Sequence, residues 1–214
     1  MNLANTITEL EQQAGNQQEG GPRVIDPTAK SGFIAGQERT QLVQLLSDSQ
    51  KEFLAAVTPL TDQQWKWRPA PERWSVGECA EHIVLTEAAI FSRAQKALSN
   101  APDPDWETKT AGKTEILLRV VAQRQGTWIA PQEIQPTGKM SRKEIMTAFA
   151  ETRARTLGFA EETQAPLKEH LAPHPFPVLN LLNGYQWVLY IPLHNMRHNK
   201  QIEEVKATPD FPSK

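Results

Sequence analysis

The stretch Tyr190-Ile-Pro-Leu-His194-Asn-Met-Arg-His198-Asn-Lys-Gln-Ile-Glu-Glu-Val205, near the C-terminus, decides how the rest of the chain is read. Its two histidines are four residues apart, which on a helix puts both imidazoles on one face, a turn from each other and within reach of a single ion. Trp187, Ile191, Ile202 and Val205 recur on that face at three- and four-residue intervals, while Asn195, Asn199, Lys200, Glu203 and Glu204 fall elsewhere. The histidines therefore belong to a stripe expected to be buried. There each ring nitrogen needs a partner, because an unpaired polar group inside costs about 1–3 kcal/mol. Spacing alone leaves two readings open, hydrogen-bonded core histidines or a pair of metal ligands. The second requires a third ligand.

Outward from this stretch, the last helix is expected from about Leu181 to Lys206, with Pro192 removing one backbone hydrogen bond and bending it before His194. Upstream, Pro166 to Pro177 reads as a proline-rich loop holding His170 and His174. Three capping boxes mark other helix starts: Thr61 with Gln64, Ser75 with Glu78, and Ser141 with Glu144. The second opens a helix with the apolar face Val76, Cys79, Ile83, Thr86 and Ile90, running to about Leu98, and His82 lies beside that face. The third opens a helix with Ile145, Ala148, Phe149, Thr152 and Phe159 on one side, and its Arg153 and Arg155 are expected in solvent. A first long helix spans Gln37 to Val57, ahead of Pro59. Trp65 and Trp67 read as lids on the core. Asn100 to Trp106 reads as a loop, Glu115 to Arg124 as a helix on balance, and Trp128 to Gly138 as an irregular crossover.

Residues 1–35 read as a flexible extension in which Leu3, Ile7, Leu10 and Ala14 have the spacing of a short helix, too short to be stable alone. A folded domain is expected over 36–208 and a short tail over 209–214. No solenoid repeat and no alternating strand pattern is present. The expected architecture is all-α, a four-helix bundle in which the 100–140 segment is a long crossover connection.

Composition excludes several functions. A net charge of -2 and a pI near 6.2 give no basic footprint for nucleic acid. No apolar run approaches the roughly 20 residues of a membrane span, and the N-terminus lacks a signal-peptide pattern. The single cysteine, Cys79, rules out an internal disulfide and fits a reducing, cytoplasmic setting.

If the second and fourth bundle helices are neighbours, His82 meets His194 and His198, giving three nitrogens and an open position, the pattern of a catalytic rather than a structural metal. Cys79, a turn from His82, reads as a core thiol, with a fourth-ligand role as the alternative. Here the sequence resembles the DinB-like superfamily, in particular its YfiT-like branch. The resemblance is carried by Trp65-Lys-Trp-Arg-Pro69, Trp74-Ser-Val-Gly-Glu-Cys-Ala-Glu-His82, Pro136-Thr-Gly138, His174-Pro175, and Tyr185-Gln-Trp187 through His194-Asn-Met-Arg-His198-Asn-Lys-Gln201-Ile202.

The resemblance implies a DinB/YfiT-like four-helix bundle with a divalent metal, zinc or nickel, on the triad His82, His194 and His198. It also implies a small-molecule substrate, activation of a low-molecular-weight thiol or of water by S-transferase or hydrolase chemistry, and a homodimer formed through helix faces. A zincin-type protease needs Glu directly after the first histidine, and this chain has Asn195 there. Glu78, one turn before His82, is the candidate catalytic carboxylate, although capping alone explains it. Gln201 is a candidate support for the site and Arg197 a candidate contact for an anionic substrate. The alternative reading is a non-catalytic, metal-stabilised binding or stress-related module.

Overall fold

The computed structural model describes residues 32–123, 129–177 and 179–213; the helix expected at Leu3–Ala14 lies outside them. In order the chain forms α1 (Gly36–Val57), α2 (Asp62–Lys66), α3 (Val76–Ser99), α4 (Trp106–Thr110), α5 (Lys113–Val120), a 3-10 turn (Gln132–Ile134), α6 (Arg142–Glu162), β1 (Leu171–Pro173), β2 (Leu181–Asn183) and α7 (Gly184–Lys206).

Capping chemistry sets the helix starts. At α3 the Glu78 N–H donates to Ser75 Oγ at 3.1 Å, and the Ser75 N–H donates to the Glu78 carboxylate at 2.9 Å. Thr61 with Gln64 and Ser141 with Glu144 do the same at α2 and α6. A fourth box, Asn183 with Gln186, starts α7 at Gly184. The helix therefore begins later than the expected Leu181, because Leu181–Asn183 pairs antiparallel with Leu171–Pro173. A three-residue ladder is too short to leave an alternating pattern in the sequence.

The order around the bundle follows from packing: α7 lies between α3 and α1, and α6 packs against the same two helices. One hydrophobic cluster gathers Leu42 and Leu46 of α1, Ile90 to Ala97 of α3, Ala160 of α6, and Tyr185 to Leu193 of α7. A second gathers Phe53 and Val57, Val76 to Val84, Ile145 and Phe149, and Ile202 and Val205. Hence α1 and α7 run one way, and α3 and α6 the other. Since α3 and α6 are parallel neighbours, the chain must return along α3, about 36 Å for its 24 residues, before starting α6. The segment between them is that crossover, as the sequence predicts. Gly77 lets this end close: a Cβ there would sit 2.4 Å from the Trp65 indole nitrogen.

Between the clusters every long helix contributes a polar residue at the same height. Arg153 is 0% exposed, which corrects the expectation that it is solvated. All five guanidinium N–H groups are used: Nε and Nη2 donate to the Glu87 carboxylate at 3.1 and 2.8 Å, Nη1 to Leu46 O and Ser49 Oγ, and Nη2 also to Asn195 Oδ1 at 2.9 Å. Asn195 Nδ2 donates to Asn199 Oδ1, and Asn199 Nδ2 to Ser49 O. Asn195 and Asn199, expected off the apolar face, are 1% and 5% exposed. Because α7 is packed on two sides, its buried surface is wider than one stripe. Arg155 is exposed, as expected, with its guanidinium 4.9 Å from the Phe91 ring centre. No helix among the described residues is long and apolar enough to cross a membrane.

Candidate metal centre

The antiparallel packing of α3 on α7 brings His82 opposite His194 and His198. The ring centres lie 5.0 Å (His82 to His194), 4.6 Å (His82 to His198) and 4.4 Å (His194 to His198) apart. One nitrogen from each ring falls within 4.8 Å of the others. His82 and His198 are buried, and His194 keeps part of its surface accessible.

Hydrogen bonds on the far side of two rings define what the near side offers. His82 Nδ1 lies 2.7 Å from the Ile134 carbonyl, and His198 Nδ1 lies 2.8 Å from Gln201 Oε1. Both oxygens can only accept, so each Nδ1 carries a proton, which in a neutral ring leaves the lone pair on Nε2; the Thr86 hydroxyl lies 3.4 Å from His82 Nε2. The Nε2 atoms of His194 and His198 are 3.1 Å apart. Two bare lone pairs at that distance repel, so a proton or a cation belongs between them. Two nitrogens bound at about 2.0–2.1 Å to one tetrahedral ion would be about 3.3 Å apart, which the observed separation nearly meets.

The electrostatics favour neutral rings at His82 and His194. Burial lowers the pKa of His82, opposed by its bond to the Ile134 carbonyl. His194 is held well below the usual histidine range, first by desolvation and then by His198, His82 and Arg197. Neutral imidazoles are the form that binds metal.

Glu78 is where the capping box puts it, with one oxygen on the Ser75 N–H and the other on Arg68. Arg197 donates from Nη1 to the Gln123 carbonyl, and its positive charge depresses His194. Gln201 is the acceptor for His198 described above. Cys79 is buried in the second hydrophobic cluster, outside the group of converging ligand atoms. His170 Nδ1 donates to the Asn100 carbonyl at 2.8 Å, and His174 Nδ1 accepts from the Phe176 N–H at 3.1 Å, so neither joins the triad.

Several residues around the centre carry no sequence signal of their role. The Trp74 indole packs on His82 at 4.8 Å and on His198 at 6.2 Å. Glu81 accepts from the Thr137 N–H, the Thr137 hydroxyl and the Gly138 N–H at 2.8–3.0 Å, which ties the crossover to α3 beside His82. Tyr190 stacks on His194 with centres 6.2 Å apart, and burial pushes its phenol pKa up to about 12. Tryptophan, glutamate and tyrosine at these positions are equally readable as core or cap residues from sequence.

YuaE, an uncharacterized protein of Bacillus subtilis (strain 168), is 23% identical over 169 residues, covering 77% of this chain and 96% of YuaE. Among solved structures, YfiT from Bacillus subtilis, described as a probable metal-dependent hydrolase with an unusual four-helix bundle topology, aligns with a TM-score of 0.52 at 15% identity. The alignment covers 89% of this chain and 93% of YfiT, and at that identity the likeness is one of fold. The sequence profile of the DinB superfamily matches residues 45–202, a span that includes His82, His194 and His198. The chain belongs to the DinB superfamily.

Proposed function

We propose that His82, His194 and His198 hold one divalent ion, zinc or nickel, and that the protein is a metal-dependent enzyme of the hydrolase or thiol S-transferase type acting on a small molecule. The observation that carries this reading is the convergence of the rings: one nitrogen from each of the three lies within 4.8 Å of the others, while His82 and His198 each bond an acceptor through Nδ1. No thiol or carboxylate completes the set among the described residues, which suits a catalytic site better than a structural one. When bound, such an ion lowers the pKa of a water or thiol and so supplies a nucleophile at neutral pH.

The chain's own residues orient the site. Ile134 and Gln201 fix the tautomers of His82 and His198, and Trp74 packs against those two rings. The amide of Asn195 is committed to Arg153 and Asn199, so the position that carries the base in a zincin serves the bundle here. The hydrolase description of YfiT agrees in kind with this reading.

The test compares metal-stripped protein with zinc- and nickel-reconstituted protein on a panel of esters, lactones, amides and carbon electrophiles, with and without low-molecular-weight thiols. Metal-dependent turnover is expected. Hydrolysis without thiol assigns the hydrolase, and turnover only with thiol assigns the transferase. No turnover anywhere, with a metal-dependent rise in Tm, replaces both with a metal-stabilised binding module.

A further inference from the structure

Tyr190 precedes His194 by four residues on α7, and the two rings are 6.2 Å apart and 22° from parallel. A four-residue step along a helix rises about 6 Å, so the rings leave the helix in the same direction and stand side by side. A phenol reaches further from its backbone than an imidazole does. The Tyr190 hydroxyl therefore extends past the level of the His194 ring.

The opposite flank of His194 is taken. His198 lies there with its Nε2 at 3.1 Å, and Trp74 covers His198 and His82. Tyr190 stands on another flank, its ring also 5.3 Å from that of His174 and 6.5 Å from that of Trp187. It is 7% exposed, and no described residue hydrogen-bonds its hydroxyl. Because no solvent-inaccessible side-chain nitrogen or oxygen among the described residues is left without a partner, that hydroxyl keeps accessible surface of its own. A largely buried phenol ordinarily has a partner for its O–H. If Tyr190 were there only to pack on His194, phenylalanine would serve.

We infer that the Tyr190 hydroxyl donates a hydrogen bond to an oxygen atom of the molecule bound at the triad, making it a substrate-contacting residue. The substrate class is then one whose reacting group carries an oxygen acceptor, such as an ester, lactone, amide or epoxide. This rests on the metal reading above and narrows it.

The experiment titrates acetate, a small oxygen acceptor, into the cobalt-loaded full chain and follows the visible cobalt absorption, in the wild type and in Tyr190→Phe. Cobalt affinity and Tm are measured for both. The expected result is acetate affinity weakened about five-fold in Tyr190→Phe, the loss of one hydrogen bond, with cobalt affinity and Tm unchanged. Equal acetate affinity in the two proteins, including none in either, overturns the inference while leaving the metal reading intact. A parallel loss of cobalt affinity assigns Tyr190 to packing on His194 and also overturns it. Failure of the wild type to bind cobalt removes the metal reading and this inference together.

Discussion

Nη2 of Arg153 lies 2.9 Å from Oδ1 of Asn195, so the residue directly after the first histidine of α7 is tied to a guanidinium on α6. The same guanidinium holds Glu87, five residues beyond His82 on α3. One side chain thus links the two helices that carry the triad, and the link fixes the rotation of each about its own axis. A buried ion pair contributes little net stability compared with apolar residues of the same shape, yet breaking one from a single side is costly.

Arg153→Met leaves the Glu87 carboxylate buried without its cation and is expected to cost about 3–5 kcal/mol of stability. Adding Glu87→Leu removes the stranded charge and should recover much of that loss. Urea unfolding of the two variants checks this, and an Arg153→Met protein as stable as wild type would show that the pair is not buried as described.

Gln201 acts on the site through His198, whose Nδ1 it accepts at 2.8 Å. Gln201→Leu removes the acceptor and leaves the ring free to turn or change tautomer. Zinc affinity is expected to fall about 10- to 100-fold, the usual effect of losing such a support. Isothermal titration with zinc, alongside circular dichroism to confirm unchanged helicity, measures it.

His174 gives a pH dependence separable from the triad. Burial, with help from Arg93, lowers its pKa from 6.5 to about 4. Its folded pKa lies below the unfolded one, so between these values the unfolded chain binds the extra proton. The contribution to stability is complete above about pH 6.5 and is lost as pH falls toward 4. His174→Asn keeps an acceptor for the Phe176 N–H but cannot titrate, so its loss of stability from pH 7.5 to 4.5 should be smaller than that of wild type by about 2 kcal/mol. Urea midpoints at the two pH values provide the comparison, and equal losses would contradict it.

The parts of the fold that were legible in the sequence are those written locally. The capping boxes at Ser75 and Ser141 place helix starts to the residue, because both partners lie within four positions of each other. The pairing of His194 with His198 is likewise fixed by one helical turn. Convergence of His82 on them depends on α3 and α7 being antiparallel neighbours, which family resemblance supplied and local pattern could not. The burial of Arg153 is hidden from local pattern for the same reason: Glu87 is 66 residues away, and a lone arginine on a helix reads as solvated. The Ile134 carbonyl that orients His82 is a backbone atom, which no side-chain pattern can announce.

If three imidazoles distant in sequence form one metal site, the divalent metal bound per chain after reconstitution and desalting reads it out. The wild type is compared with His82→Ala and with Lys51→Ala, a change at an exposed position on α1. One zinc or nickel ion per chain is expected for wild type and for Lys51→Ala, and a fraction of that for His82→Ala. Equal metal content in wild type and His82→Ala, or none in either, would contradict it.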